Sequence, residues 1–365
     1  MARFDKGLIA LNAICPYFTM FPLDFPLGIL SRWAKPRESV LDPFCGRGTT
    51  NFAARLLGLR SLGIDSSPVA AAITAAKLPR VTPDEVVKEA RAIASRKTTG
   101  EIPGGRFWQL AYDPHVLESL CKFRTAFLDD CTSPARSALR AIMMGALHGP
   151  QQRTFPSYFS NQCPRTYAPK PAYAARFWRT HGFRPQRMDI LDVVGRRARR
   201  FYNHSLPGRG VARLGDSRLR TALRNQGQPF DWVVTSPPYY GMRTYIPDQW
   251  LRNWFVGGPS VVDYSNTKQV HHGSPEEFAA DLQRVWENAR AVCDDNARLV
   301  IRFGGIADRD QNPRDIIRAS LHETGWDLLT IKPAGKASDG RRQADTFLRK
   351  RSKPLEECVV WARAA

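Results

Sequence analysis

At 365 residues the chain is too long for one minimal domain and fits one large α/β domain with an insertion, or two domains. With 43% hydrophobic and 24% charged residues it lies in the globular range, and it has no apolar run of the roughly 18 residues a bilayer crossing needs. Lys and Arg number 54 against 34 Asp and Glu, and this net charge of +20 implies a polyanionic partner, nucleic acid before membrane.

The opening MARFDKGLIALNAICPYF lacks a clean apolar core and a small-residue cleavage site, so a cytoplasmic location is expected. A short apolar run at 39–41 predicts a buried strand ending at Asp42. A glycine-rich turn at 45–48 follows, then a helix over 49–57 that Gly58 closes. Residues 61–64 predict a second strand ending at Asp65, and the Ala-rich stretch 68–78 a helix with proline in its first turn. Such a βαβα start implies a parallel sheet. Residues 82–130 read as largely helical.

The character then changes. From 131 to 188 there are 58 residues without Asp or Glu and nine Lys or Arg, with eight aromatics between Phe155 and Phe183. Residues 150–173 are proline-rich without helical period and predict an ordered extended loop; a basic helix carrying Arg196, Arg197, Arg199 and Arg200 follows. The α/β pattern resumes near Val211, with strands expected at 230–234, 297–303, 326–331 and 358–362 and helices at 276–292 and 314–324.

Two segments carry chemistry. In Asp42-Pro43-Phe44-Cys45-Gly46-Arg47-Gly48-Thr49-Thr50 a strand delivers a carboxylate, two glycines let the backbone pass close to a ligand, and a helix starts at once. Asp65, 23 residues on at the next strand end, is placed to accept from both hydroxyls of a ribose. A tight structural turn would share this glycine pattern. In Thr235-Ser236-Pro237-Pro238-Tyr239, after an apolar strand, two prolines remove backbone donors and fix an extended arm. The Ser236 and Pro237 carbonyls and the Ser236 hydroxyl are left to face a ligand's amino protons, and Tyr239 offers a flat face to a base.

Together, DPFCGRGTT, the GID ending at Asp65, GDSR at 215–218 and TSPPY resemble the S-adenosylmethionine (SAM)-dependent DNA amino-methyltransferases. The stretch 17–36 also resembles that family's cofactor-pocket motif. The resemblance covers about 17–80 and 211–305. It implies a Rossmann-like class I methyltransferase sheet of about seven mostly parallel strands. Residues 1–80 would form its cofactor-binding part, 81–210 an inserted helical and basic target-recognition region, and 211–365 its catalytic part. Thr19, Phe21, Pro22, Asp42, Pro43, Phe44, Gly46, Gly48, Thr49, Thr50, Asp65, Ser66, Asp216 and Ser217 would then bind SAM. Ser236, Pro237, Pro238 and Tyr239 would hold the target base, and no metal is implied.

Serine at 236 resembles the cytosine-N4 branch, whereas Asp or Asn there is more usual for adenine-N6. Carbon-5 methylation of cytosine needs a thiolate nucleophile, typically in a Pro-Cys pair, and the chain has none. The seven scattered cysteines form no CxxC pair, which argues against a zinc site or disulfide framework. The expected partner is DNA, with the target base flipped out or single-stranded. Arg153, Arg165, Lys170, Arg176, Arg179, Arg196, Arg197 and Arg200 are the candidate phosphate and base contacts. Adenine-N6 methylation of DNA, an RNA amino-methyltransferase activity and an idle nucleic-acid-binding module stay open as alternatives at this level, as do a cognate restriction endonuclease as partner and the oligomeric state.

Overall fold

The computed structural model describes residues 5–17, 22–97, 100–150, 157–160, 162–163, 167–207, 209–224, 227–241, 245–264, 270, 273–305, 311–336 and 356–365. In chain order the elements are α1 (Lys6–Ile9), α2 (Asp24–Trp33), β1 (Ser39–Asp42), α3 (Thr49–Leu56), β2 (Arg60–Asp65) and α4 (Pro68–Ala76). Six helices follow: α5 (Pro83–Ala94), α6 (Arg106–Ala111), α7 (Pro114–Asp129), α8 (Pro134–Ala146), α9 (Pro171–Thr180) and α10 (Ile190–Tyr202). The remainder comprises β3 (Arg209–Leu214), β4 (Phe230–Thr235), α11 (Tyr245–Asp248), α12 (Trp250–Phe255), α13 (Pro275–Arg290), β5 (Cys293–Phe303), α14 (Pro313–Ser320), β6 (Trp326–Lys336) and β7 (Glu356–Ala364).

The seven strands form one sheet in the order β3-β2-β1-β4-β5-β7-β6. All neighbours are parallel except β7, which runs antiparallel to both β5 and β6. The Rossmann-like sheet expected from the sequence is present, and its strand order reverses between β1 and β4. In open α/β sheets that switch point is where ligands sit, outside the carboxyl ends of the strands.

Strand residues alternate between two apolar layers, as the period of two requires. Val40, Trp232, Val234 and Val300 face one cluster, shared with α2–α10 and α12. Leu41, Val233, Leu299 and Ile301 face the other, against α13 and α14. The helices between 83 and 202 thus lie on the side of the sheet that α3 and α4 cover, with α8 packed against α4. Seven helices (α4, α5, α7, α8, α9, α13 and α14) begin on a proline, and six of those are capped by the preceding Ser, Thr, Asp or Asn. Helix starts therefore absorb part of the chain's proline content, because a first-turn proline gives up no hydrogen bond. No helix among the described residues is long and apolar enough to cross a membrane.

The stretch 150–173 contains no helix before Pro171 where it is described, and it is folded in. The Phe159 amide donates to the Ala146 carbonyl at 2.7 Å, and Phe159 and Cys163 are buried.

Candidate active site

The β1 turn is built around two carboxylates. Asp42 is fully buried, and its Oδ1 accepts from the Phe44 amide at 3.2 Å and from the Thr235 hydroxyl at 2.6 Å. Its Oδ2, and the Thr50 hydroxyl that also favours its charged form, have no partner at hydrogen-bond geometry among the described residues. Burial pushes the Asp42 pKa up to about 7, against the hydrogen bonds from Thr235 and the Phe44 amide and the nearby Thr50 hydroxyl. Asp65 accepts from the Ser67 amide at 2.9 Å and the Gly46 amide at 2.8 Å; burial raises it to about 6 despite both bonds.

Gly46 and Gly48 both have positive φ, 51° and 76°. Their surroundings differ. A Cβ on Gly48 would lie 2.7 Å from Cγ2 of Thr74, whereas one on Gly46 would meet nothing within 4 Å. Gly48→Ala should cost about 2 kcal/mol or more in chemical denaturation, from the clash plus left-handed strain. Gly46→Ala should cost about 1 kcal/mol, yet its methyl projects into the open space beside the turn and should weaken, in a titration, the SAM binding that the sequence resemblance implies. Equal stability losses for the two variants would contradict this reading. Thr49 and Thr50 open α3, whose eight residues are all buried. Behind the turn the fully buried Lys77 donates to the Asn12 Oδ1 at 2.9 Å and the Arg47 carbonyl at 2.5 Å.

The loop after β3 closes a third side. Gly215 N donates to the Asp65 carbonyl at 2.9 Å, and the buried Ser217 hydroxyl donates to the Pro43 carbonyl at 2.7 Å. The Asp216 carboxylate is held by Arg218, with Nη2 at 2.7 Å and Nε at 3.0 and 3.1 Å. Burial alone would raise its pKa, but Arg218 outweighs this and holds it below the usual value. Arg218 also donates to the buried Asp281 of α13 at 2.8 Å.

The arm leaves β4 directly after Thr235, so the Thr235–Asp42 bond ties its root to the carboxylate of the β1 turn. Pro237 is buried; Ser236, Pro238 and Tyr239 are half-buried. The Tyr239 hydroxyl donates to Oε1 of Glu357 on β7 at 2.5 Å. Glu357 is itself buried and accepts from Arg302 Nε at 2.7 Å, while that guanidinium lies 5.4 Å from the ring centre of Phe25 on α2. The Tyr239 ring packs edge-on against Phe303, their centroids 5.8 Å apart. Tyr239 is thereby fixed from β7, two strands away in the sheet. Glu357→Ala should lower kcat about tenfold, with Glu357→Gln restoring only part of it, because the amide oxygen still accepts from Tyr239 while the amide nitrogen faces the Arg302 guanidinium. A tenfold rise in KM at unchanged kcat would assign Glu357 to substrate binding instead.

All seven cysteines are free, and burial raises the pKa of each. That leaves no thiolate suited to carbon-5 chemistry. No group of His, Cys, Asp and Glu among the described residues could hold a metal ion.

Of the expected residues, the structure gathers Asp42, Pro43, Phe44, Gly46, Gly48, Thr49, Thr50, Asp65, Ser66, Asp216, Ser217 and the arm 236–239 at one end of the sheet. Pro22 is exposed just before α2, and Thr19 and Phe21 lie outside the described residues, as do Arg153 and Arg165. Lys170, Arg176, Arg179 and Arg200 are exposed, and Arg196 pairs with Asp192 at 3.2 Å. Arg197 is half-buried and donates through Nε and Nη2 to the Ser157 carbonyl at 3.1 and 3.0 Å, so it braces the 157–160 segment. Sequence reasoning missed Thr235, Arg218, Arg302 and Glu357 as parts of the site. Glu357 stands beside Glu356 at the head of the apolar strand CVVWA, and nothing in the sequence tells the two apart.

Residues 9–76 match the DNA methylase family model for N6 and N4 methyltransferases. The fold is a class I methyltransferase fold. The matched span holds the β1 turn and Asp65, and ends before the arm. No curated protein matches the chain. Solved structures similar to it include the rRNA methyltransferase aviRa from Streptomyces viridochromogenes, 15% identical over 100% of this chain and 94% of that one, TM-score 0.40. TrmN from Thermus thermophilus is 9% identical over 97% and 52%, TM-score 0.37. The magnesium protoporphyrin IX methyltransferase from Synechocystis with bound SAM is 9% identical over 99% and 92%, TM-score 0.34. These are distant likenesses.

Proposed function

We propose that the protein transfers a methyl group from SAM to the exocyclic amino nitrogen of a DNA base, cytosine N4, with the base turned out of the helix. The observation that carries this reading is the buried Thr235–Asp42 hydrogen bond, which joins the turn expected to hold SAM to the arm expected to hold the base. The residues at the turn fit the cofactor. Asp42 has an unpartnered oxygen, the space beside Gly46 is open, and Asp65 stands at the next strand end. Asp216, though held by Arg218, keeps lone-pair capacity for an amino group, since a carboxylate has about four acceptor sites.

When bound, SAM supplies a methyl already activated by its sulfonium. The arm's task is then to make a poor nucleophile reactive. An aromatic amino nitrogen shares its lone pair with the ring. Accepting its protons at the Ser236 hydroxyl and the Pro237 carbonyl draws it toward tetrahedral geometry and localises that pair. The arm would hold the nitrogen in line with the methyl that SAM would supply, and the amino proton displaced as the new N–C bond replaces the S–C bond would pass by way of the Ser236 hydroxyl to solvent. Positioning and electrostatics carry most of the rate.

Incubation with labelled SAM and DNA, followed by digestion and mass spectrometry, should yield N4-methylcytosine. N6-methyladenine would move the assignment to the other base. Labelled RNA beside untouched DNA would overturn the substrate class, and SAM binding without transfer to any nucleic acid would overturn the activity.

A further inference from the structure

The exposed face of α9 carries a column of rings that packing explains only in part: Phe183 lies against Phe177 and His181, with centroids 6.1 and 6.0 Å away, and Tyr173 stands outside that contact. Tyr173, Phe177 and His181 recur every four residues, while Ala174, Ala175 and Trp178 take the buried side. Tyr173 stacks on Phe177 with centroids 6.3 Å apart and planes 19° from parallel; Phe177 stacks on His181 at 4.1 Å. Tyr173 is 57% exposed and Phe177 38%. Single exposed apolar residues are ordinary, but an aligned column on one helix is not.

Charge surrounds this column. Arg176 and Arg179 on α9, and Arg184 and Arg187 just after it, are exposed and make no ion pair among the described residues. They belong to the stretch 131–188 that contains no acid. The helix is also anchored beside the elements that follow the SPPY arm. The Ala168 amide donates to the Asp248 carbonyl of α11 at 3.0 Å, and Trp178 and Trp250 of α12 pack on the same Phe107 ring.

We infer that this face of α9 is a stacking platform for an unpaired DNA strand, with the Tyr173 ring taking a nucleobase and the four arginines gripping its phosphates. Arginine alone would serve duplex and single strand alike. The exposed rings decide between them, because bases in an intact duplex already have both faces covered, whereas a base beside an opened position has a face to offer. The inference rests on the DNA substrate proposed above, and it names the state of that DNA.

The test measures anisotropy of a fluorescent single-stranded DNA of about 16 nucleotides and of its duplex, on the full chain without SAM. Tyr173→Ala and Phe177→Ala should each weaken single-strand binding about tenfold and duplex binding less than about twofold, with Tyr173→Phe near wild type. Arg176→Ala and Arg179→Ala should weaken both and each flatten the salt dependence for the single strand by about 0.7. Equal losses on both DNAs, no loss on either, tighter binding of an RNA of the same sequence, or a ring variant that changes the sedimentation of the protein alone would each overturn the inference. Ring-dependent binding without methyl transfer would leave the inference standing and remove the proposed activity. Methyl transfer with ring-independent binding would do the reverse.

Discussion

Ser236→Ala is expected to lower turnover about 10²–10³-fold while changing SAM affinity less than about threefold. The hydroxyl sits on the half-buried arm directly after Thr235, where it would accept an amino proton as the nitrogen becomes tetrahedral. Removing one such preorganised partner from a water-poor site costs roughly 3–4 kcal/mol of transition-state stabilisation. The carboxylates of the turn are untouched, because the Asp42 bond comes from Thr235 and not from Ser236. Single-turnover rates beside a SAM titration separate the two effects. A variant that lost SAM binding and kept its rate would place Ser236 in the cofactor pocket.

Asp42→Asn should make the SAM-free protein more stable at pH 8, on the order of 2–4 kcal/mol, and much weaker in SAM binding. Burial raises Asp42 to about 7, far above the value near 3.9 of an unfolded aspartate. A group that binds its proton more tightly when folded favours folding below its unfolded pKa, and that contribution is lost as pH rises through its folded pKa. The wild type therefore gives up stability between about pH 4 and 7, and Asp65, raised to about 6, acts in the same direction. A carboxamide at position 42 escapes this loss and finds an acceptor in the unpartnered Thr50 hydroxyl. Chemical denaturation at pH 4, 6 and 8 should show the advantage of the variant growing with pH. An advantage that is constant or shrinks with pH would mean that Asp42 is not held protonated by burial.

Much of this was legible in the sequence because parallel strands buried on both faces announce themselves as short apolar runs. The runs at 39–41, 61–64 and 230–234 all became strands meeting at the site. β5 was read from 297 but begins at Cys293, because its first residues, CDDN, are polar and the register shifts between Phe230 and Trp232 on β4. The four-residue α1 carries too few turns for a periodic signal. Asp42, Asp65 and Ser236 could be named since each ends or follows a strand. Thr235 and Glu357 could not be, because their roles depend on partners 193 and 118 residues away. Arg197 lay in a run of arginines that looked uniform. Only the fold separates it from Arg200, by turning it toward the Ser157 carbonyl.

Ile142 of α8 and Val194 of α10 lie in the same apolar layer as Val40 and Trp232 of the sheet. The stretch between 83 and 202 is thus built into the body of the fold, with α8 laid against α4, and is no detachable passenger. Excising it would bare the oily flank of α4 to water and invite aggregation. Editing it calls for lighter carpentry, in which the outward rows of α9 and α10 are rewritten and the beams beneath stay in place.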